Sequence, residues 1–418
     1  MKRIALLGST GSIGTQALDV VSRDEKQYAV TALTAGKNAR LLEEQVRRFR
    51  PRLAVLGEEK AAWELKGRLA DTDVRVAYGE EGLLEAASME ECDMVLNALV
   101  GVAGLRPTAA ALEAGHTLAL ANKESLVCGG ARVMELAKKK GVSILPVDSE
   151  HSAIFQSMGN RPLEEVRRVL LTASGGPFFG KSREELGGMT AAEALRHPNW
   201  SMGKKITVDS ATMMNKGFEV MEAVWLFGLA PEQVEVLVHR ESILHSAVEF
   251  IDGCVMAQLS QPDMRLPIQL ALTWPRRQEG AIKPLDLTAI GSLTFQKPDR
   301  ENFPCLSLCE QVIRQGGDRG AVINAANEVA VALFLEGTIG FLDIYEMCAQ
   351  ALRDQPFRED PTIQEILEID KMVRAQCLGS HTLFSQASTT SQGKDSMAVR
   401  PPDLPCAKGA VGERRLRD

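Results

Sequence analysis

The fold is decided by one stretch near the start of the chain, Ile4-Ala5-Leu6-Leu7-Gly8-Ser9-Thr10-Gly11-Ser12-Ile13-Gly14. The apolar run from Ile4 to Gly8 predicts a short buried strand, and the residues after the glycines predict a helix that includes Leu18 and Val21. Glycines let the backbone approach phosphates closely, and a helix N-terminus offers free N–H groups and the positive end of its dipole. The order strand, glycine loop, helix therefore predicts a dinucleotide site, with a ligand-free tight turn as the alternative.

Apolar segments that alternate with helical patterns follow this first unit along the chain. They predict further strands at Val30–Leu33, Leu53–Leu56, Met94–Leu99, Thr117–Ala121 and Val142–Val147. Such alternation is typical of α/β proteins in which helices cover both faces of a parallel sheet. We therefore predict a doubly wound, Rossmann-like sheet in the N-terminal part of the chain.

The end of the second predicted strand indicates which dinucleotide binds. An NAD site usually has an Asp or Glu there for the ribose 2′-hydroxyl, but the segment from Lys26 to Leu42 contains no acidic residue. It contains Gly36-Lys37-Asn38-Ala39-Arg40 instead, and a basic side chain beside an amide suits a 2′-phosphate. The sequence thus favours NADPH over NADH, the alternative being a solvated helix start with incidental basic residues.

Two acidic residues one apart, Asp148 and Glu150, follow the predicted strand that ends at Val147. Alternate side chains of a strand point to one face, so we expect both carboxylates to project together. Like charges at that separation repel unless a proton or a cation lies between them. Glu219, in a polar segment downstream, supplies a third carboxylate, and the three together suit Mg²⁺ or Mn²⁺.

A second strand end also carries reactive polar residues, in the segment Ala121-Asn122-Lys123-Glu124-Ser125. Ligands of open α/β sheets bind at the carboxyl ends of the strands. Lys123 and Glu124 are therefore expected to lie where they contact both nicotinamide and substrate. An exposed turn with a charge pair is the alternative.

A set of hydrogen-bond donors in the middle of the chain suits a phosphate monoester. Ser174 follows an apolar strand that breaks into a glycine turn, although by itself this is an ordinary position for a serine. Asp209 or Ser210 is expected to cap a helix start, and Asn215 and Glu219, four residues apart, share a helix face. The proposed donors are Ser174, His197, Ser210, Asn215 and Lys216.

The segment from His197 to Lys205 predicts a mobile lid. Trp200 and Met202 stand beside Gly203 and would give this segment an apolar face that closes over a ligand. The alternative is that Trp200 is a buried anchor, which is the commoner fate of a lone Trp.

Length and composition narrow the class of protein. A chain of 418 residues is too long for one typical core, and its net charge of −7 argues against a general nucleic-acid binder. Its start lacks the apolar region of a signal peptide, no apolar stretch is long enough to span a bilayer, and the eight cysteines are scattered, so a reduced cytoplasmic protein is expected. An Asp252-Gly253 turn within Val248–Leu259 predicts a β-hairpin and a contact surface for a homodimer.

Six motifs in order along the chain closely resemble the 1-deoxy-D-xylulose 5-phosphate reductoisomerase family of the non-mevalonate isoprenoid pathway, from Met1 to about residue 375. They are Gly8–Gly14, Ala121–Val127, Pro146–His151, His197–Lys204, Val208–Glu219 and Ile323–Glu328. The resemblance implies that NADPH and a divalent metal (Mg²⁺, Mn²⁺ or Co²⁺) serve the conversion of 1-deoxy-D-xylulose 5-phosphate into 2-C-methyl-D-erythritol 4-phosphate. A skeletal rearrangement, by retro-aldol cleavage and re-addition, would precede reduction of the resulting aldehyde.

The resemblance also implies a role for each matching residue. The catalytic group would be Lys123, Asp148, Glu150, His197 and Glu219, and the metal ligands would be Asp148, Glu150 and Glu219. Substrate contacts would come from Lys123, Ser149, Glu150, Ser174, His197, Ser210, Asn215, Lys216 and Glu219. NADPH contacts would come from Thr10, Gly11, Ser12, Ile13, Gly36, Lys37, Asn38, Asn122, Glu124 and Gly203. Another NADP-dependent reductase, such as a homoserine or semialdehyde dehydrogenase, and a non-catalytic NADPH-binding sensor are the alternatives.

The chain is therefore expected to contain several domains. We expect an NADPH-binding domain over residues 1–148, an α+β catalytic domain that binds metal and substrate phosphate over 149–275, a linker over 276–300 and a helical domain over 301–378. The last domain is predicted from helical patterns at Ala325–Leu335, Leu342–Arg353 and Ile363–Val373. Residues 379–418 are rich in Ser, Thr, Pro and Arg and depart from the family pattern, so we predict that they are disordered; an altered reading frame would also produce such a tail.

Overall fold

A parallel sheet forms the N-terminal part of the computed structural model, which describes residues 1–200, 202–280 and 282–388, the last nine of these as backbone only. Its strands are β1 (Lys2–Leu7), β2 (Tyr28–Ala35), β3 (Leu53–Leu56), β4 (Arg75–Tyr78), β5 (Met94–Asn97), β6 (Thr117–Leu120) and β7 (Ile144–Pro146). Their order is β4-β3-β2-β1-β5-β6-β7, so the direction of winding reverses between β1 and β5. The predicted doubly wound sheet is confirmed, with β4 as an edge strand that the sequence did not predict.

Helices cover both faces of this sheet. They are α1 (Ser12–Arg23), α2 (Ala39–Phe49), α3 (Glu59–Arg68), α4 (Gly79–Ser88), α5 (Leu105–Glu113) and α6 (Glu124–Lys140). Successive residues of β1 enter different cores, since Ala5 and Leu7 pack on one face while Ile4 and Leu6 pack on the other. This burial on two faces explains why the strand is a continuous apolar run rather than an alternating one.

A mixed sheet follows, with strands β8 (Val166–Ala173), β9 (Val234–Val238), β10 (Leu244–Phe250) and β11 (Val255–Leu259). In the order β11-β10-β8-β9, only the pair β8–β9 is parallel among the described pairings. The predicted hairpin is confirmed in β10–β11, and Gly253 supplies the positive φ of its turn, 84°. The helices of this region are α7 (Ser149–Met158), α8 (Arg183–Gly187), α9 (Ala191–Ala194), α10 (Lys204–Thr212), α11 (Met214–Phe227), α12 (Arg265–Thr273) and α13 (Leu287–Ile290).

The C-terminal region is helical, as the sequence predicts. It consists of α14 (Cys305–Gln315), α15 (Arg319–Leu335), α16 (Asp343–Asp354) and α17 (Ile363–Ser388). Helix α15 is buried along almost its whole length and crosses α6 so closely that a Cβ on Gly320 would lie 1.9 Å from the carbonyl oxygen of Val127. Among the helices that the structure describes, none is long and apolar enough to cross a bilayer.

Helix α17 corrects one predicted boundary. The sequence predicted disorder from residue 379, but the helix continues to Ser388, so that prediction is wrong for residues 379–388. No proline interrupts this segment, and extending an existing helix is easier than nucleating one. The rest of the predicted tail lies outside the described residues. Met1–Leu378 form one compact unit, and the predicted boundaries at 148, 275 and 300 stay predictions.

Because α6 and α15 cross so closely, we expect a methyl group added at Gly320 to destabilise the fold. We expect Gly320→Ala to lower the free energy of unfolding by roughly 1–3 kcal/mol or more, because the backbones must move apart to admit the Cβ. Gly67→Ala in α3 is the control, since no described atom lies within 4 Å of its Cβ position and alanine favours a helix. Urea denaturation of both variants measures the difference, and equal midpoints would contradict this account.

Candidate active site

A cavity of about 970 Å³ lies at the carboxyl ends of β6, β7 and β8 and extends to the glycine loop after β1. It brings together most of the predicted site residues. Its lining includes Gly11, Ser12, Ile13, Lys123, Glu124, Asp148, Ser149, Glu150, Ser174, His197, Gly203, Ser210, Asn215, Lys216 and Glu219. The remaining predicted residues are not among the described residues that line it: Thr10, Gly36, Lys37, Asn38 and Asn122.

The predicted carboxylates converge in this cavity. One oxygen from each of Asp148, Glu150 and Glu219 lies within 4.8 Å of the other two. The local reason differs from the prediction, because β7 ends at Pro146 and the pair does not continue a strand. Instead, Asp148 is the N-cap of α7 and accepts the backbone N–H of Glu150 at 3.2 Å, and Glu150 stands in the first turn of that helix.

Two lysine ammonium groups lie among these carboxylates. Lys123 Nζ is 3.0 Å from Asp148 Oδ2 and 2.8 Å from Glu219 Oε1. Lys216 Nζ is 2.9 Å from Glu150 Oε1 and also contacts Glu219. The three carboxylates offer a set of hard oxygen ligands, which fits a divalent cation such as Mg²⁺.

The pKa values of the carboxyl groups are driven apart by these neighbours. Burial by itself would raise the pKa of Asp148, but Lys123 and His151 outweigh it and hold that pKa well below its usual range. Burial, followed by the charge of Glu219, raises the pKa of Glu150. Carboxyl groups that are close together and pushed apart in pKa are typical of functional sites.

His151 is a residue whose importance the sequence analysis missed. Its Nδ1 lies 2.9 Å from Asp148 Oδ1, and its Nε2 donates to the backbone carbonyl of Glu219 at 2.9 Å. Burial lowers its pKa, but Glu222 and Asp148 outweigh that effect and raise the pKa to about 9. The imidazolium thus connects the side chain of Asp148 to the backbone of Glu219 and so holds these two segments together. The only signal in the sequence was a histidine three residues after Asp148, on the same helix face.

The predicted phosphate-binding residues fall into two groups. Ser174 Oγ lies 3.0 Å from His197 Nε2, whereas Asn215 and Lys216 are hydrogen-bonded to Glu219. Ser210 lines the same cavity from α10. The expected cap at Asp209 or Ser210 is wrong, because α10 begins after Gly203 and both residues lie inside the helix.

His197 is held as a neutral imidazole. Its Nδ1 accepts the backbone N–H groups of Asn199, at 3.2 Å, and Trp200, at 3.0 Å, so the proton resides on Nε2 and points to Ser174. Burial, followed by the charge of Arg240, lowers the pKa of His197 to about 4. The side chain therefore donates one hydrogen bond into the cavity at neutral pH.

The glycine loop has the geometry that a pyrophosphate requires. A Cβ on Gly14 would lie 2.3 Å from the carbonyl oxygen of Gly8, so only glycine allows α1 to start this close to β1. Gly11 is the N-cap of α1, and no side chain among the described residues caps that end, which leaves its N–H groups free. An anionic ligand therefore fits this helix N-terminus.

The other predicted cofactor residues differ in environment. Lys37 is exposed, and Asn38 caps α2 by accepting the Leu41 N–H at 3.1 Å. Asn122 is buried and donates to the carbonyls of Leu99 and Gly101, so its amide fixes the loop after β5. Their roles as cofactor contacts stay predictions.

The predicted lid borders the cavity. Trp200 and Met202 line it, and the Trp200 ring lies 6.1 Å from the His245 ring, so this Trp is partly buried at the mouth rather than in the core. Lys205, at the end of the lid, bonds to Glu124 at 3.1 Å and to Asp209 at 2.9 Å. Ser201 lies outside the described residues.

Three protein-family models match the chain. Residues 4–130 match the model "1-deoxy-D-xylulose 5-phosphate reductoisomerase", residues 144–227 match the model of its C-terminal domain, and residues 259–376 match "DXP reductoisomerase C-terminal domain". A similar protein from Agathobacter rectalis, named 1-deoxy-D-xylulose 5-phosphate reductoisomerase, is 50% identical over 89% of this chain and 97% of its own length. One of the same name from Symbiobacterium thermophilum is 52% identical over 89% and 97%.

Solved structures are similar over the same part of the chain. A 1-deoxy-D-xylulose 5-phosphate reductoisomerase from Zymomonas mobilis in complex with NADPH has 42% identity and a TM-score of 0.86, and covers 91% of this chain and 99% of its own. A DOX-P reductoisomerase in complex with NADPH, fosmidomycin and magnesium has 40% identity and a TM-score of 0.89, and covers 92% and 100%.

The neutral state of His197 predicts how stability depends on pH. With a pKa of about 4 in the folded protein and the ordinary 6.5 in the unfolded chain, the unfolded state binds more protons between these values. Stability should therefore fall as the pH drops from 6.5 to 4, and this contribution should be constant above 6.5. We expect His197→Gln to show a shallower decline in that window, measured by urea denaturation at several pH values. Parallel curves for the two proteins would contradict the assignment.

Proposed function

The chain belongs to the 1-deoxy-D-xylulose 5-phosphate reductoisomerase family, and we propose that the cavity at its strand ends is the active site for that family's reaction. The enzyme is an NADPH- and divalent-metal-dependent oxidoreductase of isoprenoid biosynthesis. It rearranges and reduces 1-deoxy-D-xylulose 5-phosphate to 2-C-methyl-D-erythritol 4-phosphate. The observation that carries the proposal is the convergence of three carboxylates and two lysines within reach of the glycine loop. A homoserine-type dehydrogenase has no use for such a cluster, and the family matches do not support it.

The carboxylate cluster is the proposed metal site. A divalent cation held by Asp148, Glu150 and Glu219 would polarise the substrate carbonyl and stabilise negative charge on its oxygens. Lys123 completes the site, because the charges of Asp148 and Glu219 outweigh burial and raise its pKa, so the amine is an ammonium at neutral pH. Its three N–H groups meet Asp148, Glu219 and Asn215, so it would donate to a substrate oxygen in exchange for one carboxylate contact while it keeps its bond to Asn215.

Five donors that line the same cavity are proposed to hold the substrate phosphate, and two of them, Asn215 and Lys216, lie beside Glu219. Ser174 and Ser210 offer hydroxyls, His197 offers its Nε2–H, and Asn215 and Lys216 offer an amide and an ammonium. Binding the phosphate away from the reacting carbons fixes their orientation toward Lys123 and the carboxylates. Trp200 and Met202 border the same space and would exclude water when the lid closes.

The first sheet is proposed to bind the cofactor. NADPH, when bound, supplies the hydride for the reduction. The free N–H groups after Gly11 would hold its pyrophosphate, and Lys37 with Asn38, at the end of β2, would hold its 2′-phosphate. Gly203 and Glu124 line the cavity between this sheet and the substrate donors, which suits contacts to the nicotinamide end.

Metal-dependent turnover tests the function directly. The protein should consume NADPH, followed by its absorbance, when 1-deoxy-D-xylulose 5-phosphate and Mg²⁺ or Mn²⁺ are added, and EDTA should stop the reaction. Asp148→Asn and Glu219→Gln should each lower kcat by roughly a hundredfold or more, because each removes a charge from the cluster. Glu232→Gln, an exposed partner of Arg314, is the control and should leave kcat unchanged. Turnover that is insensitive to EDTA would sink this proposal.

We propose that Lys37 gives the enzyme its preference for NADPH by binding the 2′-phosphate. We expect Lys37→Ala to raise the KM for NADPH about tenfold to a hundredfold, since a charged hydrogen bond to the 2′-phosphate is lost, and to leave the KM for NADH unchanged. The matched control is Arg40→Ala, because Arg40 is 85% exposed and pairs only loosely with Glu44, at 3.7 Å. Equal effects of the two variants on both cofactors would refute the role of Lys37.

We also propose that the enzyme is a cytoplasmic homodimer. Strand β11 is an edge strand, and Ile251, Val255 and Met256 on its hairpin are 67%, 49% and 48% exposed, which supports pairing with a second copy. Light scattering should give twice the chain mass for the wild type and a shift toward the monomer for Met256→Lys; a monomeric wild type would rule out the homodimer.

All seven cysteines in the described part of the chain are free, which supports a reducing compartment. Cell fractionation tests whether the enzyme is cytoplasmic.

A further inference from the structure

The turn that carries Ser174 has an unusual backbone. Gly175 and Gly176 follow β8 with φ values of 76° and 68°, two consecutive residues in the left-handed region. A Cβ on Gly176 would lie 2.4 Å from the carbonyl oxygen of Ser210, so the turn is pressed against α10. The Gly176 N–H donates to Ser174 Oγ at 3.2 Å. The position of the Ser174 hydroxyl therefore depends on this conformation.

Arg240 holds the outer side of that turn. It lies in the loop between β9 and β10, and its Nη1 donates to the carbonyls of Ser174, at 2.8 Å, and Gly176, at 2.7 Å. The guanidinium also lies over the Phe179 ring, 5.0 Å from the ring centroid. With both carbonyls turned toward Arg240, the Ser174 hydroxyl is left on the cavity side.

The same loop also holds the lid. Asn199 Nδ2 donates to the Arg240 carbonyl at 2.6 Å and to Ser242 Oγ at 2.9 Å. Arg240 thus bonds to the glycine turn through its side chain and to the segment after His197 through its backbone. These two attachments fix both partners of the hydrogen bond between Ser174 and His197.

We propose that Arg240 is a positioning residue for the substrate phosphate: it locks the Ser174–Gly176 turn so that Ser174 and His197 present their donors to the phosphate. It is absent from the described residues that line the cavity, so it acts through the turn rather than by contact with substrate. This inference rests on the proposed function, since it takes the ligand of these donors to be a phosphate monoester. The charge of Arg240, together with burial, also favours the neutral His197 that donates from Nε2.

Arg240→Met tests the role, because methionine keeps most of the aliphatic stem and removes the donors. We expect the KM for 1-deoxy-D-xylulose 5-phosphate to rise about tenfold to a hundredfold, with a smaller change in kcat and no change in the KM for NADPH. Inorganic phosphate, used as a probe in calorimetry, should bind more weakly by a similar factor. The His197 imidazole, followed by NMR, should titrate at a higher pH than in the wild type.

Rescue and a matched control separate positioning from general damage. Methylguanidine should restore part of the affinity for the sugar phosphate to Arg240→Ala. Arg168→Met is the control, since Arg168 lies near the start of β8, the strand that leads into this turn, and bonds to Glu249 and Glu235 rather than to the turn. It should leave the KM for the sugar phosphate unchanged. If Arg240→Met does not fold, Arg240→Lys and Arg168→Lys are compared in the same way.

Two results would overturn the inference. One is an Arg240 variant that folds and keeps the wild-type KM for the sugar phosphate and the wild-type affinity for inorganic phosphate. The other is an equal rise in KM for the sugar phosphate and for NADPH, which would indicate a general structural role. Failure of the proposed function is distinguishable, because it would appear as a wild-type protein that does not turn over 1-deoxy-D-xylulose 5-phosphate.

Discussion

Repulsion among three carboxylates, one buried and two partly buried, is the constraint on which the rest of this structure depends. Asp148, Glu150 and Glu219 have oxygens within 4.8 Å of one another, and such an arrangement persists only with positive charge beside it. The chain supplies this charge from separate elements, with Lys123 at the end of β6 and Lys216 on α11. The parallel sheet, the capped helix α7 and helix α11 bring these charges to one place.

A second chain of polar contacts begins beside this cluster and reaches distant parts of the chain. Glu124, next to Lys123 in sequence, bonds to Lys205, and Lys205 bonds to Asp209. Asp209 in turn accepts a hydrogen bond of 2.8 Å from Asn327 on α15. The charged groups of Glu124, Lys205 and Asp209 are largely withdrawn from water, and each has a partner of opposite charge, as burial of charge requires. The segment from His197 to Lys205 is therefore connected through one chain of contacts both to Glu124, at the start of α6, and to helix α15.

Local patterns in the sequence predicted much of the fold and part of the site. The strand β1 and its glycine loop were predictable because burial on two faces leaves a continuous apolar run before the glycines. Strand β4 was not, because two of its four residues are exposed, the other two are only partly buried, and they carry no clear alternation. The pairing of Asp148 with Glu150 was predicted from strand geometry, whereas a helix cap produces it. The role of Arg240 was not predictable, because its partners lie more than sixty residues away in sequence.

The bond between Asn327 and Asp209 has a consequence for how the enzyme is made. Every residue proposed to contact metal, substrate or cofactor lies before residue 220, so a ribosome releases all of them while α15 is still unsynthesised. Until α15 arrives, Asp209 lacks its amide partner and the face of α6 around Val127 lacks its cover. A nascent chain of that length would carry every proposed site residue before α15 is present to pack against α6. Synthesis itself would then delay activity until α15 has folded against α6 and α10.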